Sequence, residues 1–513
     1  MQGLKEFKNS KGEIILYAGS PDLALLETLS HGTGDIWHSS FEQGYKNAFP
    51  ELAFQTAIFF WYVSDFDDLD NCVSWRVNPN AFAVRKSVWE ILQGFDSDYA
   101  NLQMRALDFG FQCIRFFGGI PLYVKGLFAS EVKENVVISA TDRHIFYRKN
   151  FKNDHAIYMI YRLGIWNLKE WKAFRFAKKN FTQRMYNQII PPRKLQEIQG
   201  DPSVSYIIPT MFRQDFTLQL LDDLSQQCFL PRQVIVVDAT PESERDSLLY
   251  QQKQYPFVLT VIWQQSKGSC RARNEAILLC TGDYIVFGDD DIRIPENFIE
   301  NHIKFLQTYG TGACNGLDIR ADHHQQDLND LQRKLEKFGA LRWRAGVTSS
   351  FSNANSCVKT ELVRQLVGND INFDGGYGED GDFGLSLAKI GVTVMFNPFA
   401  VNLHLKPPSG GYRWWGTQAK IMGKKRKKQP WELDTPVGLV RPVPSPTVMY
   451  GIIKQFSPQL LTEYKHKHFS YYLFNGSKYA FLYRLVRLPY KNIQFKKSVF
   501  YAKKLISLGV RTK

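Results

Sequence analysis

Gly282-Asp283-Tyr284-Ile285-Val286-Phe287-Gly288-Asp289-Asp290-Asp291-Ile292-Arg293-Ile294-Pro295 is an apolar strand that runs into three consecutive carboxylates. Adjacent like charges repel, so an ordered loop that carries them calls for a cation, and hard oxygen ligands suit Mg²⁺ or Mn²⁺. Taken alone, the run also reads as an acidic turn that caps a strand.

The flanking sequence decides between the two readings. Val204 to Thr210 is a short β-rich run, and Phe216 to Gln227 carries apolar residues at helical spacing. Gln233-Val234-Ile235-Val236-Val237-Asp238 is nearly continuous Val and Ile ending in an acid, as in a parallel strand buried on both faces with its C-terminal end at a ligand crevice. Leu259 to Ile262 gives a third strand. Gly268 to Asn274 is a turn that opens a helix, and Tyr284 to Phe287 is the fourth strand. Alternating strands and helices predict an open α/β sheet.

These residues resemble the catalytic domain of a family 2 glycosyltransferase with the GT-A fold, over about residues 203–425: Pro209-Thr210 at the first strand end, Asp238 at the second, Ala272-Arg273-Asn274 opening a helix, Asp289-x-Asp291, Gly378-Glu379-Asp380 and Asn402-Leu403-His404. The resemblance implies a Rossmann-like, mostly parallel sheet and a nucleoside diphosphate sugar donor, with Asp238 reading uracil. It places Pro209, Thr210, Arg213, Asp238, Gly268, Arg273, Asn274, Asp289 and Asp290 around the nucleotide, Asp289, Asp291 and His404 on a metal, and Asp380 with Glu379 at the catalytic base. Two positions depart from the family pattern. Ala239 stands where a second acid often follows Asp238, and Gly288 is unusually small.

The residue types support the same chemistry without the family. Loss of a nucleoside diphosphate requires neutralisation of the leaving diphosphate, which a metal on Asp289 and Asp291 supplies. A carboxylate such as Asp380 can take the acceptor proton on the face opposite the leaving group, which implies inversion. Glu379, Asp380 and Asp382 equally suit a helix N-terminus, where acids favour the macrodipole. Lys267 and Arg273 either add charge near the diphosphate or lie on a solvated helix face. His404 is either a ligand or a satisfied structural histidine, and Trp414 and Trp415 either an acceptor platform or core. The segment from Asp318 to Trp343, between the metal loop and the base, is expected on the acceptor side.

The chain also looks duplicated. Tyr147 to Phe181 set against Tyr472 to Ile506, at a constant offset of 325, matches at Tyr147, Asn150, Tyr158, Arg162, Leu163, Asn167, Lys172, Ala177, Lys178 and Lys179. Chance gives about two matches over such a span. Upstream, Asn80 to Lys86 and Gly94-Phe95-Asp96 resemble Asn355 to Lys359 and Asn372-Phe373-Asp374, but the acidic pair is replaced within Ala100-Asn101-Leu102-Gln103. Residues 1–140 therefore read as a degenerate, noncatalytic GT-A-like domain. Asp65 to Asp70 is either a second metal loop or a solvated acidic loop.

The expected organisation is this partial domain, a basic aromatic helical segment at 141–200, the catalytic domain at 201–425, a basic and Pro-rich linker at 426–446, and a basic amphipathic helical tail at 447–513. Within 513 residues of net charge +14, the run Lys424 to Lys428 and the aromatic, basic helices suit an anionic membrane surface or helix pairing. No known nucleic-acid fold is recognisable, so a nucleic-acid partner is not expected. No segment approaches the ~20 apolar residues of a membrane span, and Met1 to Glu13 lacks a signal-peptide core. Seven dispersed cysteines suit a reducing compartment. The expectation is a cytoplasmic or inner-face peripheral enzyme that transfers a sugar from a nucleoside diphosphate to a saccharide or lipid-linked acceptor. A dual-domain polymerase and a noncatalytic carbohydrate-binding scaffold are the rivals.

Overall fold

The structure, a computed structural model, describes residues 3–54, 63–129, 133–265, 268–412, 440–477 and 479–512. The N-terminal half contains β1 (Lys5–Lys8), β2 (Ile14–Ala18), α1 (Leu23–Ser30), β3 (Ile36–His38), β4 (Asn71–Val73), β5 (Phe82–Arg85), α2 (Lys86–Ile91), α3 (Leu102–Gln112) and β6 (Pro121–Val124). Its six strands are ordered β1-β2-β5-β3-β6-β4. Phe82, Ala83 and Val84 are fully buried at its centre. Helices α4 (Ala140–Asn150), α5 (Asn153–Leu163) and α6 (Leu168–Asn180) follow.

The second half is built from β7 (Val204–Thr210), α7 (Gln214–Ser225), β8 (Gln233–Asp238), β9 (Val258–Trp263), α8 (Ser269–Leu279), β10 (Tyr284–Gly288), β11 (Ile292–Arg293), α9 (Phe298–Tyr309), β12 (Ala313–Arg320), α10 (Leu328–Glu336), β13 (Gly346–Val347), β14 (Asn355–Lys359), α11 (Thr360–Gln365), α12 (Glu379–Lys389) and β15 (Val394–His404). The sheet order is β11-β15-β12-β14-β10-β7-β8-β9, with β13 also on β15. From β10 through β7 and β8 to β9 all pairs are parallel. Val234 to Val237 is wholly buried there, because helices cover both faces. Beyond β10 the sheet is mixed, since β14 runs antiparallel to both β10 and β12 while β12 and β15 are parallel.

One pairing pattern occurs in both halves. β2-β5-β3-β6 pairs antiparallel, antiparallel, parallel, and β10-β14-β12-β15 does the same. Val84 faces Ile36 as Val358 faces Ala313.

The connecting regions depart from the expected boundaries. Helix does not continue to residue 200: α6 stops at Asn180, and residues 181–200 hold no regular element. Pro191 and Pro192 have no N–H to donate there. This strap is instead fastened to both halves. Arg184 donates to Asp108 at 2.9 Å and Tyr186 to Asn150 at 2.8 Å. Arg193 N–H donates to the Tyr309 hydroxyl at 2.9 Å, and its guanidinium to the Gly32 and Gly34 carbonyls.

At the C-terminal end, Pro446 belongs to α13 (Pro446–Gln455) rather than to a linker, and α14 (Pro458–Phe474) and α15 (Ala480–Ser507) follow. Proline suits that first-turn position. The helix breaks of the two repeated segments differ, because Gly164 at φ 115° separates α5 from α6 whereas Pro489 lies inside α15. The end of the chain is no detached tail. Arg511 O accepts Ile371 N–H at 2.8 Å, and Gly509 O accepts Asn372 Nδ2 at 2.7 Å. All seven cysteines are free, and six are buried.

Candidate active site

Strand β10, inside the sheet between β14 and β7, delivers Asp289, Asp290 and Asp291 just past its C-terminal end. Gly288 is small because a Cβ there would lie 2.1 Å from the Tyr206 hydroxyl of neighbouring β7. β11 then pairs with β15 so that Ile292 faces His404, and Leu405 N–H donates to the Asp291 carbonyl at 2.7 Å. This register puts one ligand atom each of Asp289, Asp291 and His404 within 4.8 Å of one another. Two carboxylates and an imidazole fit a cation such as Mn²⁺ or Mg²⁺.

His404 Nε2 lies 3.3 Å from Asp291, and Nδ1 lies 3.1 Å from Asp318. Burial opposes charge on the ring, but the two carboxylates outweigh it and push its pKa up to about 10. Asp318 therefore orients the ring from behind, as carboxylates do for metal-binding histidines. The segment it opens is expected on the acceptor side; Asp318 itself is drawn to the candidate metal ligands by the β12–β15 register, in which it faces Asn402.

Asp290 points elsewhere. It accepts Thr210 Oγ1 at 2.7 Å and Arg213 Nη1 at 3.0 Å. Burial pushes its carboxyl up against the pull of Arg213. The same Arg213 nitrogen reaches Asp291 at 2.8 Å. Gly411, at φ +79°, makes room for that guanidinium, since a Cβ would sit 2.8 Å from its Cζ. Arg273 Nη2 donates to Asp289 at 2.7 Å, while its Nε and Nη1 are buried without a hydrogen-bond partner. These groups border a cavity of about 390 Å³, whose wall also carries Arg320, Lys406, Glu379 and Tyr412. Unspent donors of a buried guanidinium favour an oxyanion, to which the fork of Arg is suited.

Gly378, at φ 114°, turns the chain into α12. Asp380 accepts Asn353 Nδ2 at 2.5 Å. Burial and the neighbouring Glu379 carboxylate push its pKa up to about 7 despite Arg273. Glu379 itself lines the cavity. Asp382 is spent on structure, holding Lys454 at 2.7 Å and Gln455 at 2.6 Å from α13.

Residues 205–366 match the profile of Glycosyl transferase family 2. Over that segment the chain is similar to family 2 glycosyltransferases. The match takes in the parallel strands, Arg273 and the Asp cluster, and stops before Asp380 and His404. No curated relative matches the chain. Similar solved structures include TarS 1-349 from S. aureus, at 14% identity and TM-score 0.37, covering 60% of this chain and 83% of that one. Another is the mannosyltransferase PcManGT from Pyrobaculum calidifontis, solved in complex with GDP-Man and Mn2+, at 20% identity and TM-score 0.35, covering 70% of this chain and 99% of that one.

Other expected residues of the glycosyltransferase segment fall in different places. Pro209 lines the cavity. Thr210 and Asp238 are fully buried behind its wall. Asp238 accepts Thr240 N–H at 2.8 Å and the Tyr250 hydroxyl at 3.0 Å, and burial raises its pKa. Gly268 precedes α8, where a Cβ would lie 2.2 Å from Asp374. Asn274 corrects the sequence reading: it does not line the cavity but bonds to the Asn369 and Thr512 carbonyls at 2.8 and 2.9 Å. It thereby fastens α8 to the chain end, and Ser269, which the sequence did not single out, lines the cavity. Asp65 accepts buried Arg76 at 3.0 Å, and Asp67 and Asp70 meet Lys46 and Lys125, so that loop is structural. Lys267, Arg413, Trp414, Trp415 and the run Lys424 to Lys428 lie outside the described residues.

Proposed function

We propose that the protein is an inverting, metal-dependent glycosyltransferase that moves a sugar from a nucleoside diphosphate, UDP by resemblance at Asp238, to a saccharide or lipid-linked saccharide acceptor in cell-surface polysaccharide synthesis. The observation that carries this reading is the meeting of an Asp289, Asp291 and His404 ligand set with the two unpartnered guanidinium nitrogens of Arg273 at one cavity. A divalent cation held by the three ligands supplies charge neutralisation for a diphosphate. Arg273 donates to diphosphate oxygens, and Asp318 keeps His404 oriented. Asp380, as carboxylate, accepts the acceptor hydroxyl proton, with Asn353 holding its position. Glu379 keeps Asp380 basic through like-charge repulsion.

The test is binding and turnover of a panel of nucleotide sugars with and without Mn²⁺. Selective turnover that needs the metal and falls by about a thousandfold in Asp291→Ala is expected. Absence of binding to every donor would favour the scaffold reading.

Residues 1–140 are read as a noncatalytic partial copy of the catalytic domain. The repeated pairing pattern supports it, as do Leu102 and Gln103 opening α3 where Glu379 and Asp380 open α12.

The enzyme is further placed at an anionic membrane surface. No helix among the described residues is long and apolar enough to cross a membrane. On α15, however, Leu482, Tyr483, Val486, Tyr490 and Ile493 stand exposed at helical spacing, with Tyr479 just before them 96% exposed. Lys491, Lys496 and Lys497 lie on the same helix. Apolar and aromatic residues beside lysines suit shallow insertion among anionic headgroups.

A further inference from the structure

A second cavity, of about 400 Å³, lies between the two halves of the molecule. Phe116 and Tyr186 line it from the N-terminal side, and Arg342, Arg344, Phe338 and Phe396 from the catalytic side. The Phe116 and Tyr186 rings stack at 3.8 Å and 7°, and the Tyr186 hydroxyl is held by Asn150. Arg342 lies over the Trp343 ring at 4.0 Å, and its Nε is buried without a hydrogen-bond partner. Arg344 donates to a main-chain carbonyl, that of Arg115, at 3.5 Å. Some other arginines face carboxylates, as Arg162 does Glu463 and Arg293 does Asp223, whereas Arg105 and Arg364 donate, like Arg344, to main-chain carbonyls. Among the described residues neither Arg342 nor Arg344 forms an ion pair with a carboxylate. Burial lowers the pKa of Arg342, and burial together with the neighbouring Arg115 charge lowers that of Arg344.

A chain of contacts links the cavity wall to Asp380. Phe396 faces Asn315 across β12 and β15. Asn315 Oδ1 accepts Ser352 N–H at 2.7 Å, and the next residue, Asn353, holds Asp380. Thr348, on the cavity wall, precedes Asn353 by five residues, a chain reach of at most about 17 Å.

We propose that this cleft binds an acidic glycan, a stretch of acceptor saccharide carrying carboxylate or phosphate groups, with Arg342 and Arg344 supplying the counter-charge. The aromatic rings take the apolar faces of the sugars, and the guanidinium groups take the oxyanions. The role of this glycan as acceptor rests on the transferase reading; the binding itself does not.

The experiment measures binding of three fluorescently labelled probes to the full chain without donor: a hyaluronan hexasaccharide, a hexameric glycerol phosphate chain and neutral maltohexaose. Binding of at least one acidic probe, weakened about tenfold or more in Arg342→Gln/Arg344→Gln, is expected. Arg342→Lys/Arg344→Lys should recover part of that loss, and which acid binds names the oxyanion. Nucleotide-sugar binding, measured on the same variants, should be unchanged. Equal binding of maltohexaose, no binding of either acidic probe, or acidic binding unaffected by the Gln pair would overturn the proposal. Failure of all donors to bind, with acidic-glycan binding intact, would sink the transferase reading alone.

Discussion

Asp380 and Asp382 are two residues apart on α12 with the same side chain, yet one is held by Asn353 with a raised pKa and the other is tied to α13. With a pKa near 7, Asp380 holds a proton through mildly acidic conditions. Turnover under saturating donor should therefore rise with pH through about 7, and Asp380→Asn should abolish transfer at every pH while leaving donor affinity within about twofold. Persistence of transfer in that variant would remove Asp380 as the base. Linkage gives the opposite sign for stability: a raised folded-state pKa contributes stability at low pH that is lost as pH rises through 7. A second residue-scale prediction concerns Gly288. Its alanine variant sets a methyl against Tyr206 and should cost about 1–3 kcal/mol in denaturant unfolding. The acids of the site were legible because three carboxylates in a row after an apolar strand are costly to order without a cation. Asp318 and the loss of Asn274 were not, since both depend on partners far away in sequence, Asp318 meeting His404 across β12 and β15 and Asn274 meeting Thr512 at the chain end.

Among the elements, the parallel strands were the most readable. Val234 to Val237 can only be a strand covered on both faces, and β7 to β10 follow from the same kind of run. The mixed half was not readable in this way, because the antiparallel course of β14 depends on where the chain returns after α10. Helix α15 shows a different limit. Its apolar spacing was visible, but whether that face was covered by the other half was not, and the fold leaves it exposed. Leu482→Glu/Val486→Glu should release the protein from vesicles containing phosphatidylglycerol in a sedimentation assay, with donor turnover in solution unchanged. Retention on vesicles equal to wild type would remove α15 from membrane contact. α13 belongs to the framework of the candidate site, since Lys454 ties Asp382 to Asp370 and Thr447 takes the Tyr377 N–H at 3.0 Å. Lys454→Ala leaves two buried carboxylates uncompensated and should destabilise the fold by about 3 kcal/mol or more, read as a lowered Tm.

At the scale of the whole molecule, the repeat in sequence and the repeat in strand pairing coincide in the sheets and diverge in the helices, where a glycine break in one half faces a continuous helix in the other. A sheet must pair to exist, whereas helices on its flank can lengthen or split. The halves meet through the strap at 181–200, through Thr33 on the Tyr309 carbonyl at 2.6 Å, and through Arg162 on Glu463.

The strap has a further consequence for how a glycan could be selected. Connecting segments without regular structure are usually mobile, but this one is pinned at Arg184 and Tyr186 to the N-terminal side and at Arg193 to both halves. The gap it spans is thus set when the chain folds rather than when a ligand arrives. A polymer would be gauged as by a fixed caliper, admitted by girth, and nothing would need to close around it.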